Sequence, residues 1–192
     1  MASLSQAIVG LEAALAKANH PIGLYPSSRP AYRSREQLNS EAANHGLELS
    51  GELLDLWAWW SGRDLFKSLR HLNFSERVLP GDLVIHDIDY AYELTQMLRS
   101  TDLHHSVADL WLPIGMIGGS IFVWADLEDP TTPQSPVIVN DRGNPPDLDA
   151  ICHFASIAEM IEMSSYIIEK GWWEDHPDFG WHYTGPPGEA WY

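Results

Sequence analysis

The sequence predicts an α+β fold in a single domain, with a mostly antiparallel sheet flanked by helices. Three observations predict it. Residues 4–60 carry three helical patterns, and residues 82–139 carry short apolar runs of strand length interrupted by one helix. A capped helix and an aromatic tail close the chain. Runs of helices beside runs of strands favour α+β over a regularly alternating α/β order. The chain has 192 residues, long enough to bury a core without staples.

The elements follow in order. Leu4, Ile8, Leu11 and Leu15 fall on one helical face, and Pro21 ends that helix near Asn19. Pro26, Ser27, Ser28 and Pro30 mark a loop. Ser34 and Gln37 form a capping box for a second helix, which runs to Asn44 and stops at Gly46. Ser50 caps a third helix from Gly51 to Trp60, whose Leu53, Leu54, Trp57 and Trp60 keep the helical period. Ser61-Gly62 ends it, residues 63–80 read ambiguously, and Pro80-Gly81 is a turn.

Leu83, Val84 and Ile85 predict a short strand, and Asp89 is expected to cap a helix from Tyr90 to Leu98. Trp111 to Ile114 is a brief apolar run. Gly118-Gly119 reads as a hairpin turn feeding a strand from Ser120 to Asp126. Val137 to Val139 is a further strand. Ser156 and Glu159 make a second capping box for a helix to Lys170, with Gly171 as its C-cap. Residues 1–171 thus read as the domain. Residues 172–192 read as an aromatic arm packed on it, because so many aromatic rings rarely stay unpacked; the alternative is an exposed patch for a partner.

The charge excludes some partners. Eleven Lys and Arg stand against 27 Asp and Glu, a net charge of -16. The excess is uneven. Residues 1–81 are neutral, residues 82–150 hold twelve acids and only Arg99 and Arg142, and residues 151–192 hold seven acids and only Lys170. Such a chain repels phosphate backbones and anionic headgroups, so neither nucleic acid nor a membrane is expected as partner. Cys152 is the single cysteine, which fits a reducing compartment. The N-terminal stretch lacks the basic start of a signal peptide. The expected location is the cytoplasm.

Catalytic machinery is sparse. His105 and Asp109, with His104 adjacent, and the group His176, Asp178, His182 invite a metal reading. Neither has the spacing of a zinc motif, so no metal or other cofactor is expected. Cys152 and His153 are neighbours in sequence, which does not make a nucleophilic dyad, and no Gly-x-Ser-x-Gly elbow occurs. The chain is therefore expected not to be an enzyme. A metal-dependent hydrolase using His104, His105 and His182 is the less favoured alternative.

One pattern resembles a known family. Leu49-Ser50-Gly51-Glu52-Leu53-Leu54 followed by Trp57-Ala58-Trp59-Trp60-Ser61-Gly62 resembles the opening motif of the SUKH superfamily, the Smi/Knr-like domain. Trp111-Leu112-Pro113-Ile114-Gly115 is similar to its second motif. Gly118 to Asp126 matches its glycine turn and strand, and Phe154 to Ile161, with Ser156, its closing helix. The match spans roughly residues 33–170 in the family's order; Ser50 stands where the family often has Pro, and the aromatic tail lies beyond the shared core. The resemblance implies a curved sheet flanked by helices, with Trp57, Trp60, Gly62, Trp111, Pro113, Gly115 and Ser156 as structural motif residues. It also implies a binding protein: bacterial members are typically immunity proteins against a cognate toxin, often a nuclease, and fungal relatives regulate cell-wall synthesis.

The expected function is then non-covalent occlusion of a cognate bacterial toxin, with an intracellular scaffold or regulatory domain of the same fold as alternative. A nuclease needs a basic surface, and an acidic protein can cover it and gain on-rate by steering. The expected contact residues are Asp87, Asp89, Glu93, Asp126, Glu128, Asp129, Glu174, Asp175 and Asp178.

Overall fold

Ser3 opens α1 (Leu4–Lys17) with a capping box: its hydroxyl accepts from Gln6 N, and the Gln6 side chain accepts from Ser3 N. The structure, a computed structural model, describes residues 3–24, 33–61, 79–100, 109–118, 121–129, 131–140 and 153–186. A 3-10 turn (Pro21–Leu24) follows α1. The expected capping box of Ser34 and Gln37 opens α2 (Arg35–Asn44), and Gly46 takes the left-handed conformation just past its end, at φ 68°. In α3 (Gly51–Ser61) the Ser50 hydroxyl accepts from Leu53 N as expected. Gly62 lies outside the described residues.

Four antiparallel strands form the main sheet in chain order: β1 (Leu83–Ile85), β2 (Trp111–Ile117), β3 (Ile121–Asp126) and β4 (Val137–Asn140). Helix α4 (Ile88–Arg99) is inserted between β1 and β2 and packs on β2. Helix α5 (Ile157–Glu169) packs against α1. The chain then makes a two-stranded hairpin, β5 (Trp173–His176) and β6 (Gly180–Tyr183). The α+β class and the mostly antiparallel sheet are as the sequence predicts.

Three local readings need correction. The cap of α4 is Asp87, not Asp89: Asp87 has extended backbone and its carboxylate accepts from Asp89 N at 3.0 Å. Glu159 does not return to the cap residue. Its carboxylate accepts from Ala155 N, one residue before Ser156, so the box is displaced by one position. The apolar run at Trp111 does not stop at Ile114. A bulge at Ile114, between Pro113 and Gly115, shifts the alternation by one residue, so Leu112 before it, Ile114 within it and Ile117 after it all reach the main core.

That core joins α1, α2, α3, α4 and α5 to one face of the sheet. Trp57 is fully buried and donates through Nε1 to His86 O, while Trp59 and Trp60 are also buried. Trp173 and Trp181 of the hairpin belong to the same core. The other sheet face buries Trp111, Trp124 and Ile138 beneath Leu98 of α4.

Two positions hold the layers in register. Glu52, in the first turn of α3, is buried; its carboxylate accepts from Ser135 N and Ile157 N at 3.0 Å and from Ala158 N at 3.2 Å. It thereby ties α3 to the approach to β4 and to the positive end of α5. Beside it the buried hydroxyls of Ser50 and Ser135 lie 2.7 Å apart. Gly115 lets β1 approach β2: a Cβ there would meet Val84 O at 2.8 Å and Leu83 Cδ1 at 3.1 Å. Backbone cannot swing aside as a side chain can, so Gly115→Ala is expected to lower stability by about 1–3 kcal/mol. The midpoint of a urea titration reads this, and an unchanged midpoint would contradict the close approach.

Among the described residues no helix is long and apolar enough to cross a membrane.

Candidate functional site

The nine acids expected to form a contact face fall on three elements. The first group sits on α4. Asp87 is occupied as the helix cap. Asp89 receives both terminal nitrogens of Arg33, at 3.0 and 2.7 Å, and Arg33 also lies 3.4 Å from Glu41. The hydrogen bond to Asp89 raises the Arg33 pKa further above its ordinary value. Glu93 is exposed between two exposed apolar side chains, Tyr90 and Met97. Positions 90, 93 and 97 share one helical face.

The second group follows β3. Asp126 accepts from Glu128 N at 2.7 Å, closing its own turn. Asp129 accepts from the hydroxyl and the N–H of Thr131, and the hydroxyl bond first of all holds its carboxyl below the usual range. Glu128 is exposed. The third group is on the hairpin, where Glu174, Asp175 and Asp178 are exposed.

The expected face therefore divides by role. Asp87, Asp126 and Asp129 order their own backbone, and Asp89 is neutralised by Arg33. Glu93, Glu128, Glu174, Asp175 and Asp178 project outward with no ion pair among the described residues. The described arginines, by contrast, are engaged: Arg33 with Asp89, Arg35 with Asp55, and Arg99 with Asp109 and the carbonyls of His45 and Gly46. Among the described residues, local pairing engages the arginines, whereas these five acids carry no ion pair.

The hairpin is the feature that sequence reasoning missed. Its inward side chains Trp173 and Trp181 are buried, and Trp181 meets the buried His20 ring edge-on at 4.4 Å. At the tip, Pro177 and Asp178 form a turn in which Phe179 N donates to His176 O at 3.3 Å. Asp178 N donates to His176 Nδ1, and Gly180 supplies the left-handed residue at φ 69°. The Phe179 ring stacks on His176 with centroids 4.9 Å apart, yet Phe179 is 70% exposed. The available signal was His-Pro-Asp-Phe-Gly between Trp173 and Trp181, a proline-then-glycine turn between aromatic runs.

The remaining candidates separate as follows. His104, His105 and Cys152 lie outside the described residues. His176 and His182 have ring centroids 5.5 Å apart, but His182 Nδ1 lies 3.0 Å from Gly180 O. Among the described residues no group of three or more His, Cys, Asp or Glu is placed to hold a metal ion. His153 Nδ1 accepts from Val139 N. Of the motif residues, Trp57, Trp60, Trp111 and Ser156 are buried, and Pro113 and Gly115 flank the bulge of β2.

No family model matches the chain, and no curated protein matches it.

Proposed function

We propose that this chain is a cytoplasmic immunity protein that binds a basic toxin domain and neutralises it by occlusion. One observation carries the reading. Exposed carboxylates stand beside exposed large apolar side chains on two elements, Glu93 with Tyr90 and Met97, and Asp178 with Phe179. Apolar anchors supply affinity once desolvated, and the exposed acids steer a basic partner and reject acidic ones. The order of the SUKH-like motifs supports the same reading. A nuclease is the toxin class such a surface suits, because its substrate groove must itself be basic.

Co-expression tests it. Any toxin domain encoded beside this gene is expressed in a sensitive host with and without this chain. The proposal expects growth to be restored and the two proteins to co-purify. Co-purification with a non-toxic neighbour would instead favour a scaffold, and absence of both rescue and complex would refute immunity.

A further inference from the structure

We propose that the β5–β6 hairpin is a preformed anchor that seats Phe179 in an apolar pocket rimmed by Lys and Arg on the basic partner. The inference rests on the partner being a basic protein and adds which element enters it.

A single exposed hydrophobic residue is ordinary on a protein surface. Phe179 differs in how it is held. The hairpin is fixed at its base by Trp173 and Trp181 in the core and by the bond from Thr184 N to Trp172 O at 2.8 Å. Its tip is fixed by Pro177, by the backbone bond across the turn and by Gly180. The ring itself rests on His176. A side chain ordered before binding loses little freedom on binding, so its burial appears almost undiminished in the affinity.

Charge complementarity selects the occupant. Asp178 lies in the turn and Glu174 and Asp175 on β5 leading to it, all three exposed, and no Lys or Arg follows Lys170 in the sequence. Lys170 itself lies over the Tyr166 ring, 5.2 Å from its centroid. A pocket with a cationic rim satisfies both the ring and the collar. An acidic or phosphate-bearing surface would be repelled.

The test uses the full chain with p-benzoylphenylalanine at position 179, expressed in its cell of origin and irradiated. A second chain carries the same group at Val9, which is 63% exposed on α1. The expected result is an adduct from position 179 to one protein rich in Lys and Arg, with none from position 9. The adduct should fall at least tenfold when Glu174→Gln, Asp175→Asn and Asp178→Asn are combined. Circular dichroism confirms that each chain is folded. No adduct at 179, an acidic partner, an equal adduct from position 9, or indifference to the three substitutions would each overturn the inference. Rescue from the neighbouring toxin without an adduct at 179 refutes the anchor and leaves immunity standing. An adduct to a basic protein that is not toxic does the reverse.

Discussion

Replacing Glu52 with alanine is expected to destabilise the fold by about 3–5 kcal/mol, a large part of the stability of a domain this size. The reason is the three backbone N–H groups that its carboxylate serves. Ser135 N and Ile157 N share one oxygen and Ala158 N takes the other, all in buried surroundings. Alanine leaves three buried donors unpaired, each at about 1–3 kcal/mol if water cannot reach it. Glutamine keeps one oxygen but turns an NH2 group toward a donor, so Glu52→Gln should fall between alanine and wild type. Urea unfolding of the three proteins gives the ordering. A Glu52→Ala midpoint within about 1 kcal/mol of wild type would contradict the clamp.

Acid should weaken the fold as pH falls below about 6.5, the ordinary histidine value. Burial pushes the His20 pKa down to about 3 and that of His86 down to about 4, from an ordinary 6.5. Both rings are buried, and the Nε2 atom of each lacks a hydrogen-bond partner. The native state therefore keeps both neutral while the unfolded chain protonates them. Stability is full above pH 6.5 and is lost as pH falls toward 4, by about 2–3 kcal/mol per histidine at pH 4.5. Denaturant midpoints measured from pH 7.5 to 4.5 should fall along this curve. His20→Asn, which keeps an acceptor where Nδ1 accepts from Ile22 N, should flatten the slope although it loses packing against Trp181. A midpoint flat over that range would show that the rings are not buried as described.

Much of the fold is legible in the sequence because its signals are local. The face Leu4, Ile8, Leu11 and Leu15 and the capping box of Ser34 and Gln37 depend on residues within a few positions of one another. The bulge in β2 is less legible: the shift between Pro113 and Gly115 follows from pairing with β3 and is invisible in β2 alone. Glu52 had one weak signal, an acid beside Leu49, Leu53 and Leu56 on the apolar side of a helix. Its partners at positions 135, 157 and 158 cannot be read from that spacing.

The candidate surface divides for the same reason. Composition counts Asp126 and Glu128 alike, yet one closes a turn and the other projects outward. Asp89 looks as free as Glu93 until Arg33 is seen to reach it across 56 positions. Sequence thus located the negative charge along the chain, and the backbone decided how much of it a partner can meet.

The proposed function has the exposed acids of this chain meeting a basic protein. Its most direct test is the association rate of this chain with the purified toxin domain from which it rescues a host, measured as sodium chloride rises from low to high concentration. Steering predicts a rate that falls about tenfold or more as the Debye length shortens from about 30 Å to about 3 Å, while the dissociation rate changes little. A rate independent of salt, or one that rises with it, would contradict the account.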